Sequence, residues 1–162
     1  MDIRKAVPAE LDRIMEIFDY AREFMKRSGN PNQWIDGYPQ RELIAKDIHN
    51  GHCYVCTLDG EIEGVCMLMP GDDPSYKVIV DGAWLNDEPY CTMHRMAGSG
   101  KVKGIADLFF GYFSEMCPNL RGDTHDDNKI MQHLLEKNGF VRCGKIFVAN
   151  GSSRIAYHKV RK

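Results

Sequence analysis

Tyr90-Cys91-Thr92-Met93-His94-Arg95-Met96-Ala97-Gly98-Ser99-Gly100-Lys101-Val102-Lys103-Gly104-Ile105-Ala106 reads as a strand, a glycine loop and the start of a helix. Behind the loop, Ile105, Leu108, Phe109, Tyr112, Phe113 and Met116 recur at helical spacing, a core-facing stripe rather than a ligand box. Tyr112 is its one polar-tipped member and needs a partner or a wet edge. A glycine loop running into a helix N-terminus presents free backbone N–H groups and a partial positive charge, which together suit an anion. Lys101 and Lys103 add positive side chains there, or are simply solvated.

Working outward, Ile3 to Val7 reads as a first strand ended by Pro8. Leu11, Ile14, Met15, Phe18, Ala21 and Met25 form the apolar stripe of an amphipathic helix that stops at Ser28-Gly29-Asn30-Pro31. The loop Gln33 to Pro39 carries Trp34, Asp36 and Tyr38, and a second helix covers Arg41 to His49. Cys53 to Leu58 and Ile62 to Met69 are strands joined by Asp59-Gly60, a strong hairpin turn. Val78 to Val80 reads as a further short strand. Beyond the central helix come a strand from Leu120 to Thr124 and a helix around Met131, Leu134 and Leu135. Asp126, Asp127 or Asn128 caps that helix and Gly139 ends it. A last strand pair, Phe140 to Val148 and Arg154 to Val160, turns at Asn150-Gly151. The order predicts one mixed α/β domain over residues 1–162, without repeats or linkers.

The 162 residues suit a single domain, commonly ~100–200 residues long. With 21 basic against 23 acidic residues, the chain lacks the electrostatic footprint of a nucleic-acid binder. No apolar run reaches the ~18 residues of a membrane span, and Met1-Asp2-Ile3-Arg4-Lys5 is not a signal sequence, so a cytoplasmic protein is expected. Of six cysteines, Cys53 and Cys56 form the close pair. Three residues apart on a strand they face opposite ways, which argues for core packing over a metal or thiol redox centre.

Neither nucleotide-binding glycine motif fits. Gly100-Lys101 is followed by Val102 where a P-loop needs Ser or Thr, and Gly98, Gly100 and Gly104 miss the dinucleotide spacing. The segment resembles instead the acetyl-coenzyme A loop of the GNAT superfamily of N-acetyltransferases, [Gln/Arg]-x-x-Gly-x-[Gly/Ala]. Arg95 to Gly100 matches literally but falls inside the strand. Lys101 to Ala106 matches with Lys leading and sets Gly104 at the helix start, the preferred register. Asn128 and Asn138-Gly139-Phe140 continue the likeness. It is nearest to a bacterial subset with Gln-Trp-x-x-Gly-Tyr-Pro (Gln33 to Pro39), His94-Arg95 and Asp-Thr-His-x-x-Asn (Asp123 to Asn128).

The resemblance implies a central mixed, mostly antiparallel sheet flanked by helices. It also implies acetyl transfer from acetyl-CoA, by direct attack, to a primary amine of a small acceptor, with no metal. Lys101, Val102, Lys103, Gly104, Ile105 and Ala106 would hold the pyrophosphate. Arg95, Met96 and Ala97 would pair with the pantetheine arm, and Asn128 and Met131 would border the thiol end. A backbone N–H near His94 would polarise the thioester carbonyl. The family often supplies its acid as a Tyr where this chain has Leu135. That leaves His94, His125 and Tyr90 as catalytic candidates, against the plainer reading of each as a structural side chain. Trp34, Tyr38, Asp36 and Asp123 are candidates for the acceptor side, Trp34 either as a cation–π face or as a loop anchor. Leu135 also keeps open a non-catalytic acyl-CoA-binding module. Family members often dimerise, and a homodimer is allowed.

Overall fold

In the computed structural model, which describes residues 1–161, seven strands form one sheet. The strands are β1 (Asp2–Lys5), β2 (Cys53–Leu58), β3 (Glu61–Pro70), β4 (Cys91–Gly98), β5 (Asn119–Thr124), β6 (Val141–Phe147) and β7 (Ser153–Val160). The helices are α1 (Leu11–Arg27), α2 (Arg41–His49), α3 (Ile105–Met116) and α4 (Lys129–Lys137). Strand order is β1-β2-β3-β4-β5-β7-β6, antiparallel throughout except at β4 and β5.

Both faces of the sheet are covered, which explains why β2 and β3 read as nearly continuous apolar runs. On one face Ile14, Ile17 and Phe18 of α1 and Ile44 of α2 pack against Val55, Val65 and Met67. On the other, Phe109, Phe110 and Phe113 of α3 and Leu135 of α4 pack against Cys66, Leu68, Leu120 and Tyr157. Cys53 belongs to the first face and Cys56 to the second, so the two thiols are separated by the sheet. Burial pushes the Cys53 thiol up to about 12, the behaviour of a packing residue.

The β2–β3 turn places Asp59 and Gly60 at φ 51° and 82°, as a two-residue type I′ hairpin requires. Asn128 is the cap of α4, its Oδ1 accepting the Met131 N–H at 3.0 Å, and Tyr112 is 39% exposed at a wet edge. Val78 to Val80 does not form a strand. Val80 makes one isolated bridge to Lys145, and Val78 stands 67% exposed with no neighbouring strand to complete its hydrogen bonds. β-branched composition alone does not extend that single bridge to β6 into a strand.

His158 on β7 is wholly buried, its Nδ1 accepting the Leu85 N–H at 3.2 Å and its Nε2 meeting Asn119 Oδ1 at 3.0 Å. Burial, then the nearby Arg121 charge, push it down to about 4. Above pH ~6.5 the ring is neutral in both folded and unfolded chains. As pH falls from there towards 4, the unfolded chain takes up a proton that the folded one resists, so stability declines across that window. The expected loss is about 3 kcal/mol, read by urea denaturation at pH 7 and pH 4.5, with a flatter dependence in His158→Gln.

Candidate functional site

β4 and β5 are paired over only two rungs, Cys91 with Leu120 and Thr92 with Arg121. Beyond them a cavity of about 630 Å³ opens, with Met93, His94, Arg95 and Met96 on one wall and Gly122, Asp123 and Thr124 on the other. That volume lies in the ordinary range for small-molecule sites, roughly 300–1,000 Å³. Phe110 and Leu135 line its apolar floor, and Trp34, Asp36 and Tyr38 approach from the loop after α1.

His94 projects into this cavity and meets Asp73 Oδ2 at 2.8 Å. Asp73 also accepts the Ser75 N–H at 2.8 Å. Burial alone would raise the Asp73 carboxyl, but the His94 hydrogen bond and charge, the Ser75 amide and Arg95 outweigh it and hold Asp73 below the usual carboxylate range. An ionised carboxylate only accepts, so His94 Nε2 donates to Asp73. Nδ1 has no hydrogen-bond partner among the described residues. Alongside, the Tyr76 hydroxyl donates to Asp123 Oδ2 at 2.6 Å. Burial raises Asp123 despite His94, Tyr76 and Arg154, and burial together with Asp123 raises Tyr76 strongly, so Tyr76 stays a donor.

Arg95 sits at a β-bulge, with φ 51° and a register shift opposite Val65–Met67. Its guanidinium donates to Asp47 Oδ2 at 2.7 Å and to the Tyr38 hydroxyl at 3.1 Å, tying β4 to α2 and to the overhanging loop. Gln33 secures that loop from the other side. Its side-chain oxygen lies 3.1 Å from Asn128 Nδ2, 3.2 Å from Thr124 Oγ1 and 3.3 Å from the His125 N–H, while Arg154 donates to its carbonyl at 3.2 Å.

The glycine loop follows β4 directly. Gly104 precedes α3 at φ 83°, and Val102, Lys103 and Gly104 have N–H groups with no acceptor among the described residues. Gly100 adopts φ 82° with the Tyr20 ring so close that a Cβ would lie 2.2 Å from its hydroxyl oxygen. Arg95 to Gly98 belong to β4, so the register beginning at Lys101 is the one lying in a loop. Lys101 to Ala106 lie outside the cavity walls, next to them in the chain.

The other sequence candidates fall into two groups. His94, Arg95, Met96, Asn128, Met131, Asp123, Trp34, Asp36 and Tyr38 all line the cavity. Trp34 is only 9% exposed and packs on Phe18 at 5.7 Å between ring centres, so it anchors the loop as well as facing the cavity. Asn128 has both side-chain ends engaged, in the α4 cap and with Gln33. Ala97 is buried in the core.

His125 and Tyr90 stand outside the cavity lining. His125 Nδ1 accepts the Asp127 N–H at 3.0 Å, a local turn contact. Tyr90 accepts the Asp73 N–H at 2.8 Å and stacks over Arg121 at 3.9 Å, facing a second hollow. Asp73, Tyr76, Asp47 and Arg154 escape the sequence reading, which quotes Gln33 in a motif but gives it no role. Asp73-Pro74-Ser75 carries a turn signal, but nothing local reveals which strand the turn will meet. Among the described residues no group of three or more His, Cys, Asp or Glu could hold a metal, and no helix is long and apolar enough to cross a membrane.

No family model and no curated protein matches this chain. Solved structures do. A GNAT-family acetyltransferase of Streptococcus agalactiae 2603 is 37% identical, with a TM-score of 0.91 over 99% of this chain and 95% of that one. A Staphylococcus aureus Mu50 protein assigned as an acetyltransferase is 27% identical, with a TM-score of 0.73 over the whole of both chains. AAC(6')-Ib, solved with ribostamycin and coenzyme A, shares the fold at 16% identity and a TM-score of 0.66, over 98% of this chain and 92% of that one. With more than a third of its residues identical to the streptococcal enzyme along nearly its full length, this chain belongs to the GNAT family of acetyltransferases.

Proposed function

We propose that the protein transfers an acetyl group from acetyl-CoA to the primary amine of a small acceptor, with His94 as the base. The observation that carries this reading is His94 in the cavity between the splayed strands, bound to Asp73 through Nε2 with Nδ1 free. The residues present suit the donor. Unpartnered amides at Val102, Lys103 and Gly104, beside two lysines, form an anion cradle, and the bulge at Arg95 interrupts the β3–β4 ladder beside the cavity. Coenzyme A in the AAC(6')-Ib structure lends support from a protein of the same fold.

Acetyl-CoA supplies an activated thioester carbonyl and a thiol leaving group. His94 Nδ1 takes a proton from the acceptor ammonium, and Asp73 steadies the imidazolium charge that results. The freed amine then attacks without an acyl-enzyme stage. Asp36, Tyr38 and the accessible edge of Trp34 attract and orient a cationic acceptor. Leu135 gives the floor an apolar surface in place of a phenol, so the thiolate departs unassisted by that position.

Thermal unfolding in the presence of acetyl-CoA, with ATP and NAD as controls, tests the donor. At ~100 times the dissociation constant, acetyl-CoA is expected to add about 2.7 kcal/mol, several degrees in Tm. A shift with none of the three would overturn the donor assignment.

A further inference from the structure

Cys91 opens β4 and Cys117 directly follows α3, two residues before β5 begins. They are 26 positions apart in sequence, yet their sulfurs are 2.7 Å apart. Both are partly exposed, whereas Cys53, Cys56, Cys66 and Cys143 are buried. Among the described residues no other cysteine sulfur lies within hydrogen-bonding distance of a second one. Cys56 faces Met1 Sδ, Cys66 faces the carbonyls of Met67 and His94, and Cys143 faces that of Val141.

The location gives the contact its meaning. The β4–β5 pairing has two rungs, and Cys91 occupies the first, opposite Leu120. The thiols therefore meet at the root from which the two strands diverge around the cavity. The chain between them contains the cavity wall of β4, the glycine loop and all of α3.

We propose that Cys91 and Cys117 are a disulfide modification site, oxidised by exchange with a small-molecule disulfide into a reversible clasp at the root of the cleft. One cysteine thiolate attacks a sulfur of the small disulfide, forming a mixed disulfide and expelling one small thiolate. The second cysteine thiolate then attacks the protein sulfur of that mixed disulfide, forming the Cys91–Cys117 bond and expelling the second. The protein sulfurs lose two electrons, the small disulfide gains them, and the protons pass through solvent to the departing thiolates. Burial and the Cys117 hydrogen bond push Cys91 up to about 12, so exchange is slow at neutral pH and quickens as pH rises. The closed loop restricts the unfolded chain, and its length predicts a Tm increase of roughly 5–10 °C on oxidation. None of this depends on the acetyl-transfer reading, and none of the readouts below is catalytic.

The test treats the fully reduced chain with oxidised glutathione, then combines thiol titration under denaturing conditions, non-reducing peptide mapping and thermal unfolding. The expected result is four remaining thiols of the original six, a linked Cys91–Cys117 peptide, no retained glutathione and the higher Tm, all reversed by dithiothreitol. Cys117→Ser is expected to fold, to retain one glutathione on Cys91 and to show no rise in Tm. Six free thiols in the treated wild type, glutathione retained on both cysteines, or a bond involving any of the four buried cysteines would overturn the proposal.

Discussion

Replacing His94 by Ala is expected to lower kcat/KM for amine acetylation by ~10²–10⁴, the usual contribution of a positioned general base. Fold and donor affinity are expected to survive. His94 is partly exposed at the cavity wall, and its strand is held by backbone pairing with β3. Asp73→Asn keeps a hydrogen-bonding group beside the imidazole but removes its charge, so a smaller loss confined mainly to kcat is expected. Steady-state kinetics with a single amine, alongside donor binding by calorimetry, separates these effects. A His94→Ala enzyme within a few-fold of wild type would remove the imidazole from the mechanism.

The second large effect concerns stability. Asp47 and Arg95 form an ion pair whose side chains are 3% and 9% exposed, joining α2 to the β4 bulge. Truncating Asp47 to Ala strands a buried guanidinium with the Tyr38 hydroxyl as its remaining side-chain partner. The expected cost is about 3–5 kcal/mol, read as a lower urea midpoint with an unchanged m-value. Removing both charges in Asp47→Ala/Arg95→Met is expected to recover much of that loss, because the penalty lies in the unpaired charge rather than in the missing bond. A single variant within about 1 kcal/mol of wild type, the range of exposed pairs, would mean that water reaches Arg95.

These two predictions involve residues of different legibility. His94 could be found from the chain itself, because it stands in the strand that leads into the glycine loop. Asp73 and Asp47 could not, since they reach their partners across 21 and 48 positions. Local chemistry was readable where local forces decide. The bounds of α2 and β2 match the apolar spacing and the turn residues that flank them, and the Asp59-Gly60 turn sets the β2–β3 hairpin.

What stayed hidden depends on where loops travel. Gln33 reaches Asn128 across 95 positions, and that tie brings the overhanging loop to the cavity. Tyr90 and His94 lie on the same short stretch, yet Tyr90 precedes β4 and stacks on Arg121 while His94 enters the cavity. His125 looked like a companion base, but its ring nitrogen is engaged by the following turn. Cys53 and Cys56 are neighbours in sequence and separated by the sheet, whereas Cys91 and Cys117 are distant in sequence and in contact. Side-chain types announce the chemistry available, and topology decides which of them meet.

The most direct measurement is release of free coenzyme A thiol from acetyl-CoA in the presence of a panel of primary amines, with mass spectrometry of the amine. Turnover of at least one cationic amine to its N-acetyl product is expected, in one-to-one proportion with thiol released. Saturable acetyl-CoA binding without acetylation of any amine would contradict it and favour an acyl-CoA-binding module built on the same cleft.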